Sequence, residues 1–263
     1  MIQKIILILL FIILICYSYF VEPNKLELNK YIIEDSQLKG VKIVFASDFH
    51  IKPYGQKRLE RVVEMINAEN PDLVLSVGDY VSGHTQHSTM PIKNIAEMLS
   101  KVKAKYGFYT TLGNHDGWYG KDEIVKNLEK NGIKVLQNEN VKLNINGKTV
   151  YIAGIEDMMT GKPDLQKTLS DTETPTILLS HTPDIFQKVW ESVNLTFAGH
   201  THGGQVRLPF FGALIVPTRY GNKYSLGLIE ENGKKMIVTK GIGNSILPIR
   251  FNCPPEIVII EFE

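Results

Sequence analysis

Lys39-Gly-Val-Lys-Ile-Val-Phe-Ala-Ser-Asp-Phe-His50 is the stretch that decides the fold. Its mostly apolar part, Lys39 to Ala46, reads as a strand, and it gives way to a polar cluster, Asp48-Phe49-His50. Gln56 to Glu69 follows, with Leu59, Val62, Val63 and Ile66 at helical spacing and charges between them. The same order returns twice. Asp72 to Val77 is an apolar strand ending at Gly78-Asp79, and Ile92 to Val102 reads as a helix. Gly107 to Leu112 is a strand ending at Gly113-Asn114-His115-Asp116, and Asp122 to Lys130 reads as a helix. Strand, cluster, helix, repeated in this way, predicts a parallel sheet with crossover helices.

The second half reads differently. Val141 to Ile155 has the form of a hairpin turning at Asn146-Gly147. Thr176 to Leu179 leads into His181, and Leu195 to Ala198 leads into Gly199-His200-Thr201-His202. Leu226 to Glu230, Lys235 to Thr239 and Glu256 to Phe262 are strand-like and joined by Gly/Asn turns. An α/β fold, a two-sheet β-sandwich flanked by helices, accounts for both halves.

The polar clusters carry the chemistry. Each falls where an apolar strand meets a Gly-rich or polar loop, and ligands at the carboxyl ends of neighbouring strands converge in a crevice. The clusters hold five of the seven histidines, together with Asp48, Asp79, Asn114 and Asp116. Such nitrogen and oxygen donors suit manganese, iron or zinc. Their number suffices for two ions sharing one carboxylate, the arrangement that cleaves phosphate esters with an activated water. Asp79 is the central carboxylate, placed to bridge with its two oxygens. Alone, Asp-x-His or Gly-Asp is an ordinary turn; together and in order, the clusters argue for one site.

These motifs resemble the calcineurin-like metallophosphoesterase superfamily, whose signatures D-x-H, G-D, G-N-H-[DE], H and G-H-x-H all stand here in order between residues 48 and 202. Gly199 to Phe210 and Gly241 to Glu256 look like a bacterial, membrane-anchored branch that includes phosphodiesterases and a UDP-2,3-diacylglucosamine pyrophosphatase of lipid A assembly. The resemblance implies that Asp48, His50 and His202 hold one metal, that Asn114, His181 and His200 hold the other, and that Asp79 bridges them. It implies a hydroxide between the ions attacking phosphorus, with His115 beside the leaving oxygen and Asp116 orienting the His115 ring from behind. A non-catalytic metal-dependent scaffold of the same fold is the alternative, but such proteins lose ligands or the equivalent of His115, and none is lost here. A hydrolase of a small soluble phosphodiester stays open.

Further residues read less sharply. Arg207 either grips a phosphate oxygen or is a strand-edge surface arginine. Asp157 either faces the crevice or, as the favoured reading, is an exposed loop acid, and His84 and His87, in the polar loop after Asp79, are weaker candidates for substrate contact. Trp118, Tyr119 and Leu208 to Val216 form either an apolar wall of the site or plain core.

Ile5 to Val21 is an unbroken run without charge, at the short end of a membrane span, with Tyr17, Tyr19 and Phe20 at its distal end. Tyr-Phe-Val-Glu makes a poor cleavage site, so an uncleaved anchor over residues 1–22 is favoured over a cleaved signal, with a phosphoesterase domain over 23–263. Lys4 and the amino terminus favour the cytoplasm for the short end while Lys25 and Lys30 pull the other way; the balance leans to a body outside the cytoplasm. Over 263 residues the net charge is +1, with 43% hydrophobic and 22% charged residues. That composition predicts a packed core, and the missing basic excess argues against a nucleic-acid partner. Cys16 and Cys253 cannot build a disulfide framework. An anchor would hold the site near the bilayer, so a lipid-linked phosphoester or pyrophosphate is the expected partner.

Overall fold

A computed structural model describes every residue of the chain except 84 and 86, so His84 lies outside the described residues. The first half runs α1 (Ile2–Cys16), β1 (Glu27–Ile33), β2 (Lys42–Phe45), α2 (Gln56–Ala68), β3 (Leu73–Ser76), α3 (Ile92–Leu99), β4 (Phe108–Thr110), α4 (Asn114–Lys130) and β5 (Ile133–Val135). The second runs β6 (Glu139–Ile145), β7 (Lys148–Gly154), the single turn α5 (Leu165–Thr168), β8 (Thr176–Leu179), β9 (Leu195–Ala198), β10 (Arg207–Leu208), β11 (Gly212–Ala213), β12 (Gly227–Glu231), β13 (Lys234–Val238) and β14 (Glu256–Phe262).

Two six-stranded sheets form, ordered β1-β14-β2-β3-β4-β5 and β12-β13-β9-β8-β7-β6, beside a two-stranded ribbon β10-β11. Successive side chains on a strand point to opposite faces, and here both faces are apolar. Ile43, Phe45, Leu73 and Leu75 of the first sheet meet Ile152, Ile177, Leu179 and Phe197 of the second in one buried layer. The Phe45 and Phe197 rings stand 4.7 Å apart across it. Val44 and Val74, on the other face, pack with Leu59, Ile66, Ile95 and Leu128 of the helices. Leu178, Ala198 and Met236 face outward from the second sheet, under Ile185 and Phe186 of the turn Pro183–Lys188.

The first sheet is mixed rather than wholly parallel. β2 to β5 are parallel, but β14 returns from the carboxyl terminus to lie antiparallel to β2 and parallel to β1. The hairpin β6-β7 turns where expected: Ile145 pairs with Lys148, and Asn146 (φ 53°) and Gly147 (φ 83°) take the left-handed conformation that a two-residue turn of this kind needs.

Helix α4 begins eight residues before the expected Asp122, at Asn114. Asp116 accepts the Gly113 N–H at 3.1 Å, half of a capping box that starts the helix directly after β4. Gly120, at φ 146° and ψ 87°, then kinks it, so the apolar periodicity is visible only beyond that point.

Ile2–Asn24 spans 23 residues and holds an 18-residue window with a mean hydropathy of 2.6, long and apolar enough to cross a membrane. None of Ile2–Cys16 is buried, so this helix is not part of the core.

Candidate metal centre

Strands β2, β3, β4, β8 and β9 each end in one cluster, and the clusters meet at one edge of the sandwich. Leaving the strand requires a sharp turn. Asp48 (φ 52°), His50 (φ 40°), Asp79 (φ 55°), His200 (φ 68°) and His202 (φ 51°) all stand in the left-handed region, which side-chain-bearing residues rarely adopt. Strain of this kind persists only where surrounding packing dictates it, and here it aims the ligand atoms at a common point.

The donors fall into two sets. His50 Nε2 lies 3.0 Å from His202 Nε2, which is 3.6 Å from Asp48 Oδ1. His181 Nε2 lies 2.9 Å from Asn114 Oδ1 and 3.2 Å from His200 Nδ1. Asp79 Oδ2 stands between the sets, 3.3 Å from His50 Nε2 and 3.4 Å from His181 Nε2. Other triads close enough to hold an ion cut across these sets: His50, Asp79 and His115, and Asp48, Asp79 and His181. Asp79 Oδ1 accepts the His115 N–H at 2.8 Å, at the amino end of α4, so a single oxygen of Asp79 faces both sets rather than one oxygen each.

Backbone carbonyls fix the rings from behind. His50 Nδ1 lies 3.1 Å from Val81 O, and His181 Nδ1 lies 2.8 Å from Val77 O. With Nδ1–H donating outward, Nε2 is left to face the site, the usual support behind a metal-bound imidazole. Asp48 Oδ1 accepts the His200 N–H at 2.8 Å, while its Oδ2 is buried with no hydrogen-bond partner among the described residues. A buried carboxylate oxygen left without a donor, beside converging imidazole nitrogens, fits a cation. Thiolate plays no part, since Cys253 Sγ is buried and directed at the His202 carbonyl, 3.3 Å away.

Ionisation follows from the same contacts. Burial works to lower His181, but Asp79 and Asp48 push it up to about 10; His50 is raised by Asp79 in the same way. Against burial, His181 and His50 hold Asp79 well below the carboxylate range. Burial and the charge of His181 bring His200 down to about 4, and burial together with His50 and Arg250 holds His202 well below the usual imidazole range. Burial raises Asp48. The His181 ring thus holds a proton beside Asp79 where a cation would sit, and metal must displace that proton on binding.

The close approach of the elements requires glycine. A Cβ on Gly113 would stand 2.1 Å from Asp79 Oδ1 and 2.7 Å from His181 Cε1. One on Gly199 would stand 2.1 Å from Asp48 Oδ2.

His115 is half-buried, its ring 4.6 Å from that of His50 and 5.3 Å from that of Trp118. Asp116 follows it in the first turn of α4. Its oxygens accept the Asp79 N–H (2.7 Å), the Tyr80 N–H (2.9 Å) and the Gly113 N–H (3.1 Å), binding two of the ligand loops together. Burial and the charge of Asp79 push it up to about 7 against those amides. Arg207 Nη1 donates to Gly203 O (2.8 Å) and Ser225 Oγ (3.1 Å), a brace for the turn after His202. His87 is exposed.

Asp157 is buried, not exposed as expected. It accepts from the Met159 and Thr160 amides and from the hydroxyl of Thr182, next to His181. Most of Leu208 to Val216 is not core: Phe210, Phe211, Leu214 and Ile215 are exposed, and Ala213 is buried. Sequence reasoning passed over Arg250, which is fully buried and donates to the carbonyls of Cys253 (2.9 Å), Lys240 (2.8 Å) and Gly243 (2.5 Å), bolting residues 240–253 beneath the site. Gly243 N–H in turn donates to Asp48 O at 2.7 Å.

A family model described as calcineurin-like phosphoesterase matches residues 41–204. The uncharacterized metallophosphoesterase YkuE of Bacillus subtilis is 34% identical to this chain over 257 residues, covering 94% of it and 89% of YkuE. The phosphodiesterase YaeI of Escherichia coli is 28% identical over 254 residues, covering 93% of this chain and 91% of YaeI. The 5'-nucleotidase precursor of Thermus thermophilus, 17% identical, shares the fold at a TM-score of 0.51 over 77% of this chain, which spans 49% of that structure.

Proposed function

The chain belongs to the calcineurin-like phosphoesterases, and we propose that it uses this centre, loaded with two divalent ions, to hydrolyse a phosphodiester or pyrophosphate at a membrane surface. The observation that carries the reading is Asp79 Oδ2, within 3.4 Å of one imidazole from each donor set. Asp48, His50 and His202 would hold one ion, Asn114, His181 and His200 the other, with Asp79 common to both. Manganese, iron and zinc all suit these donors. Bound there, such a pair supplies a reactive water at neutral pH and neutralises charge on phosphoryl oxygens.

The protein's own groups do the rest. Val81 O and Val77 O keep the rings of His50 and His181 turned inward. Asp116 ties the Asp79 loop to the start of α4, and so fixes His115 relative to the ligands. The His115 ring, beside His50 and Trp118, would give a proton to the departing oxygen. Trp118, 41% exposed, would offer an apolar face to the group beyond that oxygen.

The anchor reading of Ile2–Asn24 favours an amphiphilic substrate, of which UDP-2,3-diacylglucosamine of lipid A assembly is the named candidate. The E. coli relative's name, phosphodiesterase, supports the diester class. The full chain in detergent, loaded with manganese, should be assayed on a chromogenic diester, a monoester and a lipid-linked pyrophosphate. Turnover of the diester or the pyrophosphate, lost with chelator and in His115→Ala, is expected. Folded, metal-loaded protein inert on all three would overturn the proposal in favour of a non-catalytic scaffold.

A further inference from the structure

Two surface segments expose large apolar side chains without packing them on anything described. Phe210 (105% exposed), Phe211 (77%), Leu214 (68%) and Ile215 (80%) crown the ribbon β10-β11, and Ile246 (97%) and Leu247 (56%) crown a second turn. Isolated exposed apolar residues are ordinary, but a group of this size marks a contact surface. Two of them are also held in an unfavourable backbone conformation. Phe210 stands at φ 68° and Ile246 at φ 55°, and a β-branched residue there is an outlier. Strain at the tip of each turn, directed at presenting an apolar side chain to solvent, points to function.

The two turns form one ledge. Gln205 Nε2 donates to Ser245 O (3.0 Å) and Leu247 O (3.2 Å), and the Ser245 N–H donates back to Gln205 Oε1 (2.8 Å). The Arg207 N–H to Phe251 O and Phe251 N–H to Gln205 O bonds, both 2.9 Å, join the ribbon's root to the same loop.

That loop also holds the foot of the apolar helix. The Arg250 N–H donates to Ser18 O at 2.9 Å, and the Cys253 N–H donates to Glu22 Oε1 at 2.5 Å. Arg58 reaches from α2 to the carbonyls of Ile242 and Pro23. Ser18, Glu22 and Pro23 are buried by these contacts, so helix foot and ledge move as one body. Cys253 Sγ continues the line to His202 O. Charge adds a smaller contribution: between Val206 and Ile229 the charged residues are Arg207, Arg219 and Lys223, all basic, but Arg207 is turned to Gly203 and Ser225 and Lys223 pairs with Glu231 at 2.7 Å, so Arg219 is the cation offered to a headgroup. Basic and apolar groups together suit the headgroup zone of an anionic bilayer.

We propose that Phe210, Phe211, Leu214, Ile215, Ile246 and Leu247 enter the lipid interface beside the membrane helix and hold the metal centre at headgroup level. The occupant of the ledge is the bilayer itself, and the substrate class is a phosphoester lying in the headgroup plane. The inference rests on the anchor reading of Ile2–Asn24 and is independent of whether the centre hydrolyses anything.

The test uses the full chain in a Cys16→Ser background, reconstituted into vesicles of phosphatidylethanolamine and phosphatidylglycerol. An environment-sensitive bimane label is placed in turn at Phe211→Cys, Ile246→Cys, Leu9→Cys in the helix, and Glu173→Cys. Glu173 is exposed and precedes β8, at the end of the sheet away from the site. Labels at 211 and 246 should emit at shorter wavelength than the label at 173. They should lose most of their emission to lipid carrying a quencher high on the acyl chain, and resist aqueous iodide. Penetration of about 5–10 Å is the depth expected of an interfacial segment. Labels at 211 and 246 as open to iodide as the label at 173, with the Leu9 label quenched by lipid, overturn the ledge and leave the anchor standing. Leu9 open to iodide as well overturns both. Labels at 211 and 246 shielded from iodide yet untouched by the lipid quencher mean a protein partner, and also overturn the proposal. Turnover of a soluble diester by the same samples reports on hydrolysis separately.

Discussion

Gly113→Ala tests how closely the ligand loops are nested. Gly113 has φ −95° and ψ 178°, extended backbone that alanine adopts freely, so any effect comes from the methyl group and not from the chain. That methyl would meet Asp79 Oδ1 at 2.1 Å, Asp79 Cγ at 2.6 Å and His181 Cε1 at 2.7 Å. To restore ordinary contact the carboxylate must retreat by about 1 Å, because interiors are packed too densely to absorb the overlap elsewhere. Retreat breaks the 2.8 Å bond from the His115 N–H and carries Oδ2 away from both histidines. Overpacking of this kind costs about 1–3 kcal/mol of stability. A misplacement of about 1 Å costs on the order of a hundredfold in rate. The assay is steady-state turnover of a chromogenic diester, with thermal unfolding and metal content measured on the same preparation. The expected protein is folded, slower by about a hundredfold, and weaker in metal binding. A Gly113→Ala protein with unchanged turnover and unchanged metal content would refute the geometry of the bridging carboxylate.

Replacing His115→Ala should leave metal content intact, since other side chains fill both donor sets, yet cut turnover by about 10²–10⁴-fold; elemental analysis beside kinetics separates the two effects. The metal-stripped chain should lose thermal stability as pH rises. His181, raised from 6.5 to about 10 by Asp79 and Asp48, contributes stability that is complete below pH 6.5 and is lost as pH climbs through about 10. Metal reverses this dependence, because neutral imidazole is the ligand, so the loaded protein should hold its melting temperature over pH 7–9 and lose it in acid; melting curves with and without chelator decide. Arg250→Ala leaves several buried carbonyls without donors and should destabilise the fold by more than about 3 kcal/mol, with Arg250→Lys recovering little because a point charge cannot serve a fork of acceptors; denaturant titration measures both.

Much of this was legible in the chain, for local reasons. Thr176–Leu179, Leu195–Ala198 and Glu256–Phe262 are apolar runs with clear polar stops, and their bounds are those of the strands. The ligand clusters were legible because each is a strand terminus, where sequence breaks sharply from apolar to Gly or Asp. The destination of β14 was not. Its sequence reads the same whether it joins its neighbour β13 or crosses to β2, and the choice is settled by which sheet buries Val258 and Ile260. β1 escaped notice because it lies at a sheet edge, where Glu27, Asn29 and Lys30 interrupt the apolar signal. Arg250 and Asp157 were illegible for a different reason. A charged residue in a loop looks exposed unless its partners are known, and theirs are backbone groups far along the chain or around a turn.

The central claim is that the two donor sets share Asp79 and hold a pair of ions. Metal content of the full-length chain, saturated with manganese and then freed of excess, addresses it directly when wild type and Asp79→Ala are run side by side. Two ions per wild-type chain, with both weakened together in a folded Asp79→Ala protein, is the predicted result. A folded Asp79→Ala chain that still retains two ions at wild-type affinity, or a folded wild-type chain that retains none, would contradict it.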